Sequence, residues 1–517
     1  MKRLKMILCG SFFLLFPLHH YGNNIQINLI RTANPDVSAG LNHPANFIFV
    51  EIGIQWENSW RSPSAPGNRD AAWVFLKYRK KGGEWQHVRL HPSGHSGPAG
   101  CTIEADSNGV GVMLYRSQNG SGAISWNPIS LRWNYGGDGL GDNEVFDLHV
   151  FAIEMVFIPQ AAFSLGENQS ASGRGSFKQS VGTSAFSVTG ESSVVIGGTA
   201  AGGVTVQNPA SQLVADDFNS TISHVLPDSF PKGFASFYCM KYEISQQQYT
   251  DFLNHLTYNQ QISRTANSPA ALPASGALSP NNLNRNGIDI IVSGLSPNRP
   301  AEYICNLNNP GFFGTSTDGQ WVACNYLSWG DVAAYLDWSG LRPMTEWEYE
   351  KACRGPVSAV ISEYAWGSTN FTIGNNISNN GSTTEKSNNN SANVNCCNAA
   401  NVQGPMRTGC MSKPGSTRSS AGASYYGVMD MSGNVSEIVV SAGSSAGRLY
   451  RRRTGDGILT GTGEANENTW PAANAGGTGL RGGNWQENNT ELRMADRYRA
   501  NSPPNIRLPT VGGRGVR

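Results

Sequence analysis

The chain has 517 residues, a formal net charge of +1 at pH 7, 39% hydrophobic residues and only 15% charged residues. The length allows roughly two to four domains, and the near-zero charge excludes a global field that would steer the protein to nucleic acid or to an anionic membrane. A charged fraction well below the ~25% of typical domains, together with 60 glycines, predicts a loop-rich protein with a neutral polar surface.

The first predicted element is a secretory signal peptide over residues 1–23. Three basic residues precede an apolar run that begins at Met6 and ends at Leu18. This is the layout of a leader sequence, and the run is too short to span a bilayer comfortably. The mature chain is therefore expected to be exported to an extracellular, cell-surface or periplasmic location and to lack a transmembrane segment.

The cysteine count bears on disulfides and on metal sites. Loss of the leader with Cys9 leaves eight cysteines, an even number that is compatible with disulfides in an exported protein. Their spacing is irregular and includes no Cys-x-x-Cys pair, so a zinc site is not expected. Cys396 and Cys397 are adjacent, and we expect them to pair with other partners if they pair at all.

Residues 24–150 are predicted to form an all-β, sandwich-like domain. Segments 71–79 (AAWVFLKYR) and 84–90 (EWQHVRL) are strand candidates, and the Lys-Lys-Gly-Gly stretch between them suits a hairpin turn. Segment 48–56 (IFVEIGIQW) is a third strand candidate. The tryptophans of this region are assigned to the domain core, and a new domain is expected to occupy residues 151–517.

Polar, low-complexity stretches interrupt the second domain. They are predicted to be insertions near 168–230, 366–402 and 443–475. The first is rich in Ser, Gly and Thr with short β-like runs, so it is either an inserted hairpin layer or a mobile loop. The second is rich in Asn and has little apolar content, which predicts a long loop.

Three helices carry consistent start signals. Ser245 followed by Gln248 forms a capping box, and apolar side chains then recur at helical spacing. The same device, a hydroxyl residue followed three positions later by an acidic residue, opens the other two. The predicted helical segments are 245–256, 328–338 and 345–354.

Four segments in the C-terminal part of the chain resemble those of a known family. Residues 328–355, 427–438 (GVMDMSGNVSEI), 480–485 (LRGGNW) and 493–517 are similar, in sequence and in order, to the formylglycine-generating enzyme or sulfatase-modifying factor family. The resemblance implies an α+β, C-type-lectin-like domain with few helices, small twisted sheets and long loops. The predicted fold class is therefore this α+β domain, preceded by the all-β sandwich-like domain.

The resemblance does not extend to the reactive thiols of the catalytic members. In those enzymes a cysteine two residues past the motif tryptophan and another five residues later bind copper. Here Glu487 and Leu492 stand at those positions, and Cys410 is the last cysteine. A carboxylate and a leucine cannot replace thiolates as soft-metal ligands. We therefore expect a pocket without thiols, no catalytic residues and no copper.

Iron is not expected either. The iron-dependent relatives draw three histidines from an added helical domain, whereas this chain has no histidine after His255 and its N-terminal region is predicted to be β. Calcium binding is the remaining metal hypothesis, because Asn434 and Glu437 match side chains of a calcium-binding turn in the catalytic members. The alternative is that Asn434 merely caps that turn.

The segment after Arg481 is predicted to be a recognition surface. Arg481 itself is expected to tie down loop carbonyls through its guanidinium fork. Amides, an aromatic ring and charges of both signs combine adaptable polar contacts with a rigid anchor, as in antibody paratopes. The predicted ligand-binding residues are Trp485, Glu487, Asn488, Asn489, Arg493, Asp496 and Tyr498.

We accordingly expect a secreted or surface-exposed bacterial protein without catalytic activity. Its predicted partners are a protein or glycan ligand, or neighbouring subunits of a surface assembly, and not nucleic acid. The rival hypothesis is a metal-dependent oxidoreductase of the sulfatase-modifying factor type. An Asn-rich C-terminal segment would also suit diversification by a retroelement, which the protein sequence alone does not establish.

Overall fold

The computed structural model describes residues 25–280, 283–308, 314–398 and 403–517. The predicted signal peptide over residues 1–23 lies outside these ranges. The fold is mixed α+β with many strands and few helices, which confirms the predicted class at that level. Within the described ranges, no helix combines the length and the apolar character that crossing a membrane requires.

The N-terminal strands are β1 (Gln26–Asp36), β2 (Phe47–Arg61), β3 (Asp70–Lys80), β4 (Trp85–His87), β5 (Cys101–Ala105), β6 (Val112–Arg116), β7 (Gly120–Trp133) and β8 (Phe146–Ile158). Shorter strands follow as β9 (Phe163–Leu165), β10 (Phe177–Gln179), β11 (Phe186–Val188), β12 (Val194–Ile196), β13 (Val204–Val206), β14 (His224–Leu226) and β15 (Phe237–Met240). The C-terminal strands are β16 (Ile288–Val292), β17 (Glu302–Cys305), β18 (Ile377–Ser378), β19 (Lys386–Ser387), β20 (Ser436–Val440), β21 (Thr478–Arg481) and β22 (Val511–Gly512). The α-helices are α1 (Gln246–Leu253), α2 (Tyr258–Arg264), α3 (Trp329–Trp338), α4 (Glu346–Arg354) and α5 (Ser445–Arg448).

Two sheets organise the N-terminal half. One has the strand order β1-β2-β7, and the larger one has the order β15-β8-β3-β6-β5 with β4 added beside β3. The predicted hairpin between segments 71–79 and 84–90 is confirmed, since β3 and β4 pair antiparallel with Lys77 opposite His87.

Strand β3 is buried on both faces, which explains its nearly continuous apolar run. Successive side chains of a strand point to opposite faces. Val74 and Leu76 pack in a cluster with apolar side chains of the β1-β2-β7 sheet. On the other face, Trp73 and Phe75 pack in a cluster with apolar side chains of α1 and α3. The β3 sheet is therefore covered by a second sheet on one side and by helices on the other.

The N-terminal strands share this sheet with the C-terminal part of the chain. Strand β8 runs through residue 150 without a break, and β15 pairs with its far end, Phe237 lying opposite Ile158. The predicted division between 24–150 and 151–517 therefore falls inside a strand, and as a statement about independent domains it stays a prediction.

The three predicted helices are confirmed as α1, α3 and α4. At α1 the Ser245 hydroxyl accepts a hydrogen bond from the Gln248 N–H, and the Gln248 side chain accepts one from the Ser245 N–H. The same reciprocal capping box opens α4 at Thr345 and Glu348. These bonds satisfy backbone donors that the first turn of a helix otherwise leaves without partners.

Helix α2 was not predicted, although its signal is present in the sequence. Thr257 and Gln260 form the same reciprocal capping box at its first turn. The helix has seven residues, too few for its apolar spacing to stand out in the sequence.

The polar insertions differ in structure. Region 168–230 contains a four-stranded sheet with the order β10-β13-β12-β14, which favours the inserted layer over a mobile loop. In region 366–402 the only ladder among the described residues joins the two-residue strands β18 and β19, in keeping with the predicted long loop. Region 443–475 contains α5 and is otherwise irregular.

Candidate functional site

Buried arginines anchor the segment that carries the predicted recognition surface. Arg481, at the end of β21, and Arg497 both pair with Glu346 in the first turn of α4, at N–O distances of 3.1 and 2.8 Å. Arg481 also pairs with Glu350 at 2.5 Å and donates to the Met494 carbonyl. These charged side chains are all buried. The predicted structural role of Arg481 is confirmed, with carboxylates as well as a carbonyl as its acceptors.

A group of half-buried side chains lies on this framework, and we refer to it as the polar cluster. Arg174 pairs with Asp496 at 2.7 Å and with Glu491 at 2.9 Å, and its guanidinium carbon lies 4.5 Å from the centre of the Tyr498 ring. Charge-assisted contacts of this kind fix the position of each side chain. The members of the polar cluster are Arg174, Glu487, Glu491, Asp496, Tyr498 and Arg499.

Glu487 is a member of the polar cluster whose charge responds to pH near neutrality. Its carboxylate lies 3.0 Å from Arg499 and accepts a hydrogen bond from the Asn484 amide at 2.9 Å. Burial raises the pKa of Glu487 to about 7, with Arg499 opposing the rise and the carboxylates of Glu491 and Asp496 adding to it. At neutral pH this carboxyl therefore exists in both protonation states, and it can donate or accept a hydrogen bond.

Several polar atoms at this surface are buried without a protein partner. Within the part of the chain that the structure describes, no hydrogen-bond partner is found for Arg174 Nη2, Glu491 Oε2, Arg493 Nε and Ser502 Oγ. Most buried polar groups in proteins are hydrogen-bonded, so a concentration of exceptions requires an explanation. These atoms are inaccessible to solvent, so water or the polar groups of a ligand reach them only if neighbouring side chains move aside.

The structure separates Trp485 from the other predicted ligand-binding residues. Trp485 is 2% exposed, and its indole N–H donates to the Pro509 carbonyl. It is a core side chain, held inside by this hydrogen bond and the surrounding packing, which argues against direct contact with a ligand, and its predicted role in ligand binding stays untested. The remaining predicted residues are half-buried or exposed, namely Glu487, Asn488, Asn489, Arg493, Asp496 and Tyr498.

Sequence reasoning missed three members of the polar cluster. Arg174 lies 322 positions from Asp496 in the chain, inside a stretch interpreted only as a polar insertion. Glu491 and Arg499 belong to the segment that was singled out, but they were not chosen. The signal available for them was their position beside residues that had already been selected.

Two thiols lie against residues 485–487, the start of the segment that contributes most of the polar cluster. The Cys397 N–H donates to the Glu487 carbonyl, and the Asn398 N–H donates to the Trp485 carbonyl, both at 2.9 Å. The sulfur atoms of Cys396 and Cys397 lie 3.0 Å apart without a disulfide bond. Among the described residues neither cysteine forms a disulfide with any partner, so the expectation of separate partners stays a prediction. The expectation of a pocket without thiols holds for positions 487 and 492 but fails for their surroundings, because an earlier stretch of the chain brings sulfur to this segment.

The two predicted calcium ligands already hold protein partners. Asn434 Oδ1 accepts hydrogen bonds from the Asn395 amide at 3.1 Å and from a backbone N–H at 2.8 Å, and its Nδ2 donates to Glu243 at 2.5 Å. The Glu437 carboxylate pairs with Arg514 at 2.5 Å. Calcium needs several oxygen ligands directed at one point. This arrangement does not fit the ion unless both side chains exchange partners, and calcium stays a prediction.

We expect Asn434→Ala to lower the melting temperature in chelator as well as in calcium. The amide bonds buried groups without any ion, and leaving such groups unpaired costs roughly 1–3 kcal/mol. If the turn also binds calcium, the metal raises the melting temperature of the wild type and leaves that of the variant unchanged. Thermal unfolding of both proteins with calcium and with chelator provides the measurement. The same calcium response in both proteins, or none in either, would contradict a site at Asn434.

Comparison with known protein families assigns most of the described structure to one family. Residues 179–517 match the family model described as a sulfatase-modifying factor enzyme 1-like domain, and this match covers more than half of the chain. A search of curated proteins found no match. The C-terminal members of the polar cluster lie inside the matched range, while Arg174 and strands β1 to β8 precede it.

Proposed function

The chain belongs to the sulfatase-modifying factor family, and from that premise we propose that it is a non-catalytic protein that binds a protein or glycan ligand through the polar cluster. The proposal includes the C-type-lectin-like fold for the family domain. It also includes export to a secreted or surface-exposed location, for which the predicted leader sequence is the argument.

The observation that carries this proposal is the set of unpartnered polar atoms around the polar cluster. Burial of a polar atom without a partner is unfavourable, by about 1–3 kcal/mol. A ligand that displaces neighbouring side chains and supplies matching donors and acceptors removes this penalty, so the surface favours polar ligands over apolar ones. Atoms of Arg174, Glu491 and Arg493 offer donors and acceptors within one small region.

The framework below the surface supports the same interpretation. Arg481, Arg497, Glu346 and Glu350 hold the segment in one conformation through buried ion pairs. A preorganised surface loses little conformational freedom on binding, which favours affinity. The cluster also joins residues from two distant parts of the chain, so its geometry depends on the folded domain.

The test compares two surface variants with a matched control. Asn488 and Asn390 are both exposed, but only Asn488 adjoins the polar cluster. We expect Asn488→Ala and Glu487→Gln to weaken binding by about three- to tenfold, because each removes roughly one interfacial hydrogen bond. Asn390→Ala should leave binding unchanged.

Glycan arrays and a peptide display library, probed with the wild type, identify the ligand class, and titration of the best hit gives the affinities. Unchanged affinity in Asn488→Ala and Glu487→Gln would move the binding site elsewhere. If no ligand is bound and sedimentation shows self-association that these variants abolish, the surface joins copies of this chain in an assembly.

A second candidate function is a metal-dependent oxidoreductase. The observation in its favour is the pair Cys396 and Cys397, since two thiolates are suitable ligands for a soft ion such as copper(I). Among the described residues, however, no group of three or more His, Cys, Asp or Glu side chains is arranged to hold a metal ion. Metal analysis of the purified protein separates the candidates. Stoichiometric copper or iron, with oxygen uptake on a thiol peptide, would favour the enzyme over the binding protein.

A further inference from the structure

We propose that Cys396 and Cys397 form a thiol–disulfide exchange site, which a small-molecule disulfide oxidises to a disulfide bond between the two neighbouring residues. Their sulfur atoms lie 3.0 Å apart, about 1 Å more than the length of a disulfide bond. A movement on that scale closes the bond. The pair borders the polar cluster at Glu487, but the proposal does not depend on ligand binding there.

The two thiols differ in burial, and this difference sets the order of the reaction. Cys396 is fully buried and packs with Trp366, Val394 and Leu492 in an apolar cluster. Burial raises the pKa of its thiol, and the adjacent Cys397 adds to the rise. Cys397 is half-buried. Because exchange requires access to the attacking sulfur, Cys397 is the thiol that meets the incoming disulfide, and Cys396 is the thiol that resolves the intermediate.

The reaction balances without any further reactant. The Cys397 thiol loses its proton, and its sulfur attacks one sulfur of the disulfide RS–SR. This forms a mixed disulfide at Cys397 and releases RS⁻, which takes up a proton. Cys396 then loses its proton and attacks the Cys397 sulfur, which closes the bond between the two residues and releases the second RS⁻ to be protonated. Two protein thiols are oxidised, and one RS–SR is reduced to two RSH.

The position of the pair links this chemistry to the neighbouring segment. The backbone N–H groups of Cys397 and Asn398 donate to the carbonyls of Glu487 and Trp485. Closing the bond shifts the turn that carries these donors. The oxidised protein is therefore expected to hold residues 485–487 differently from the reduced protein.

The experiment uses the full chain, reduced and then exposed to cystamine, with free thiols blocked afterwards and the peptides weighed by mass spectrometry. In the wild type, the peptide that contains both residues is expected to lose the mass of two hydrogen atoms and to regain it in dithiothreitol. Cys396→Ala is expected to retain one cysteamine group on Cys397, because the resolving thiol is gone. Cys397→Ala is expected to leave Cys396 unmodified, because that thiol is buried.

Cys101 provides the matched control. It is also half-buried, but burial raises the pKa of its thiol to about 12, and it has no adjacent thiol in the chain. Cys101→Ala should leave the reaction of the pair unchanged. If burial of Cys396 makes its variant fold poorly, as thermal unfolding would show, the wild type, Cys397→Ala and Cys101→Ala still decide the question.

Three results would overturn the proposal. One is a wild-type peptide that keeps a cysteamine adduct without closing, and another is a pair that reacts no faster than Cys101. The third is stoichiometric copper that the wild type retains and Cys396→Ala loses, which would make the pair a metal site. Amide hydrogen exchange of residues 485–487 tests the link to that segment, and equal exchange in the reduced and oxidised proteins would overturn that part.

Discussion

Glu346→Ala is expected to destabilise the protein by roughly 3–5 kcal/mol, the range observed when one partner of a buried ion pair is removed. Glu346 accepts from both Arg481 and Arg497 and also from the backbone N–H of Ala442 at 3.1 Å. The variant leaves two buried guanidinium groups short of an acceptor. Arg497 retains Asp216 at 2.7 Å, and Arg481 retains Glu350. The loss of stability is therefore expected to be large, although each arginine keeps one carboxylate partner.

Asp147→Ala is the matched control for this prediction, because it deletes a carboxylate from an exposed pair. Asp147 pairs with Arg79 at 2.7 Å, and the two side chains are 57% and 40% exposed. Exposed ion pairs contribute about 0–1 kcal/mol. Denaturant unfolding of the wild type and the two variants gives the free energies. A Glu346→Ala loss as small as that of Asp147→Ala would show that the buried arginines do not depend on this carboxylate.

Arg514→Met is expected to destabilise the protein by roughly 3–5 kcal/mol at pH 8 and by less at pH 5. The Arg514 side chain is buried and pairs with Glu437 at 2.5 Å. It also donates to the carbonyls of Met240 at 3.1 Å and Met429 at 2.8 Å. Methionine retains much of the apolar volume but supplies neither the charge nor the donors, so Glu437 loses its cationic partner.

The pH dependence follows from the carboxyl groups that surround Arg514. Burial raises the pKa of Glu437 from 4.5 to about 7, and Arg514 opposes this rise. Burial also raises the pKa of Glu243, with Asp430 adding to the rise and Arg514 again opposing it. Because the pKa of Glu437 is higher in the folded state, its protonation contributes stability that is complete below pH 4.5 and is lost as the pH rises through about 7.

Without Arg514 the pKa of Glu437 in the folded state rises further, so the loss of stability continues to higher pH. The deficit of the variant should therefore grow between pH 5 and pH 8, by about 1.4 kcal/mol for each further unit of pKa. Unfolding free energies at the two pH values provide the measurement. Arg31→Met is the control, because Arg31 is 61% exposed in its pair with Glu51. A deficit that is equal at both pH values would contradict electrostatic support of Glu437 by Arg514.

The sequence by itself determined the features that depend on nearby residues. Helices α1 and α4 follow from capping boxes closed over three positions, as at Ser245 and Gln248, and from apolar side chains one helical turn apart. The β3–β4 hairpin follows from two strand-like segments and a short Gly-rich turn. Family membership follows from motifs that are continuous in the chain. Each of these signals lies within a short window because the interactions that create it are local.

Only the tertiary structure decided which groups meet at the site. Trp485 directly precedes side chains that reach the surface, such as those of Gln486 and Asn488, yet it is buried, and its indole N–H donates to the Pro509 carbonyl. Arg174 reaches Asp496 across 322 positions, and Cys397 bonds the backbone at Glu487 from an Asn-rich loop. Such contacts are selected by the packing of the whole domain, since hydrogen bonding and burial depend on distance in space and not on separation along the chain.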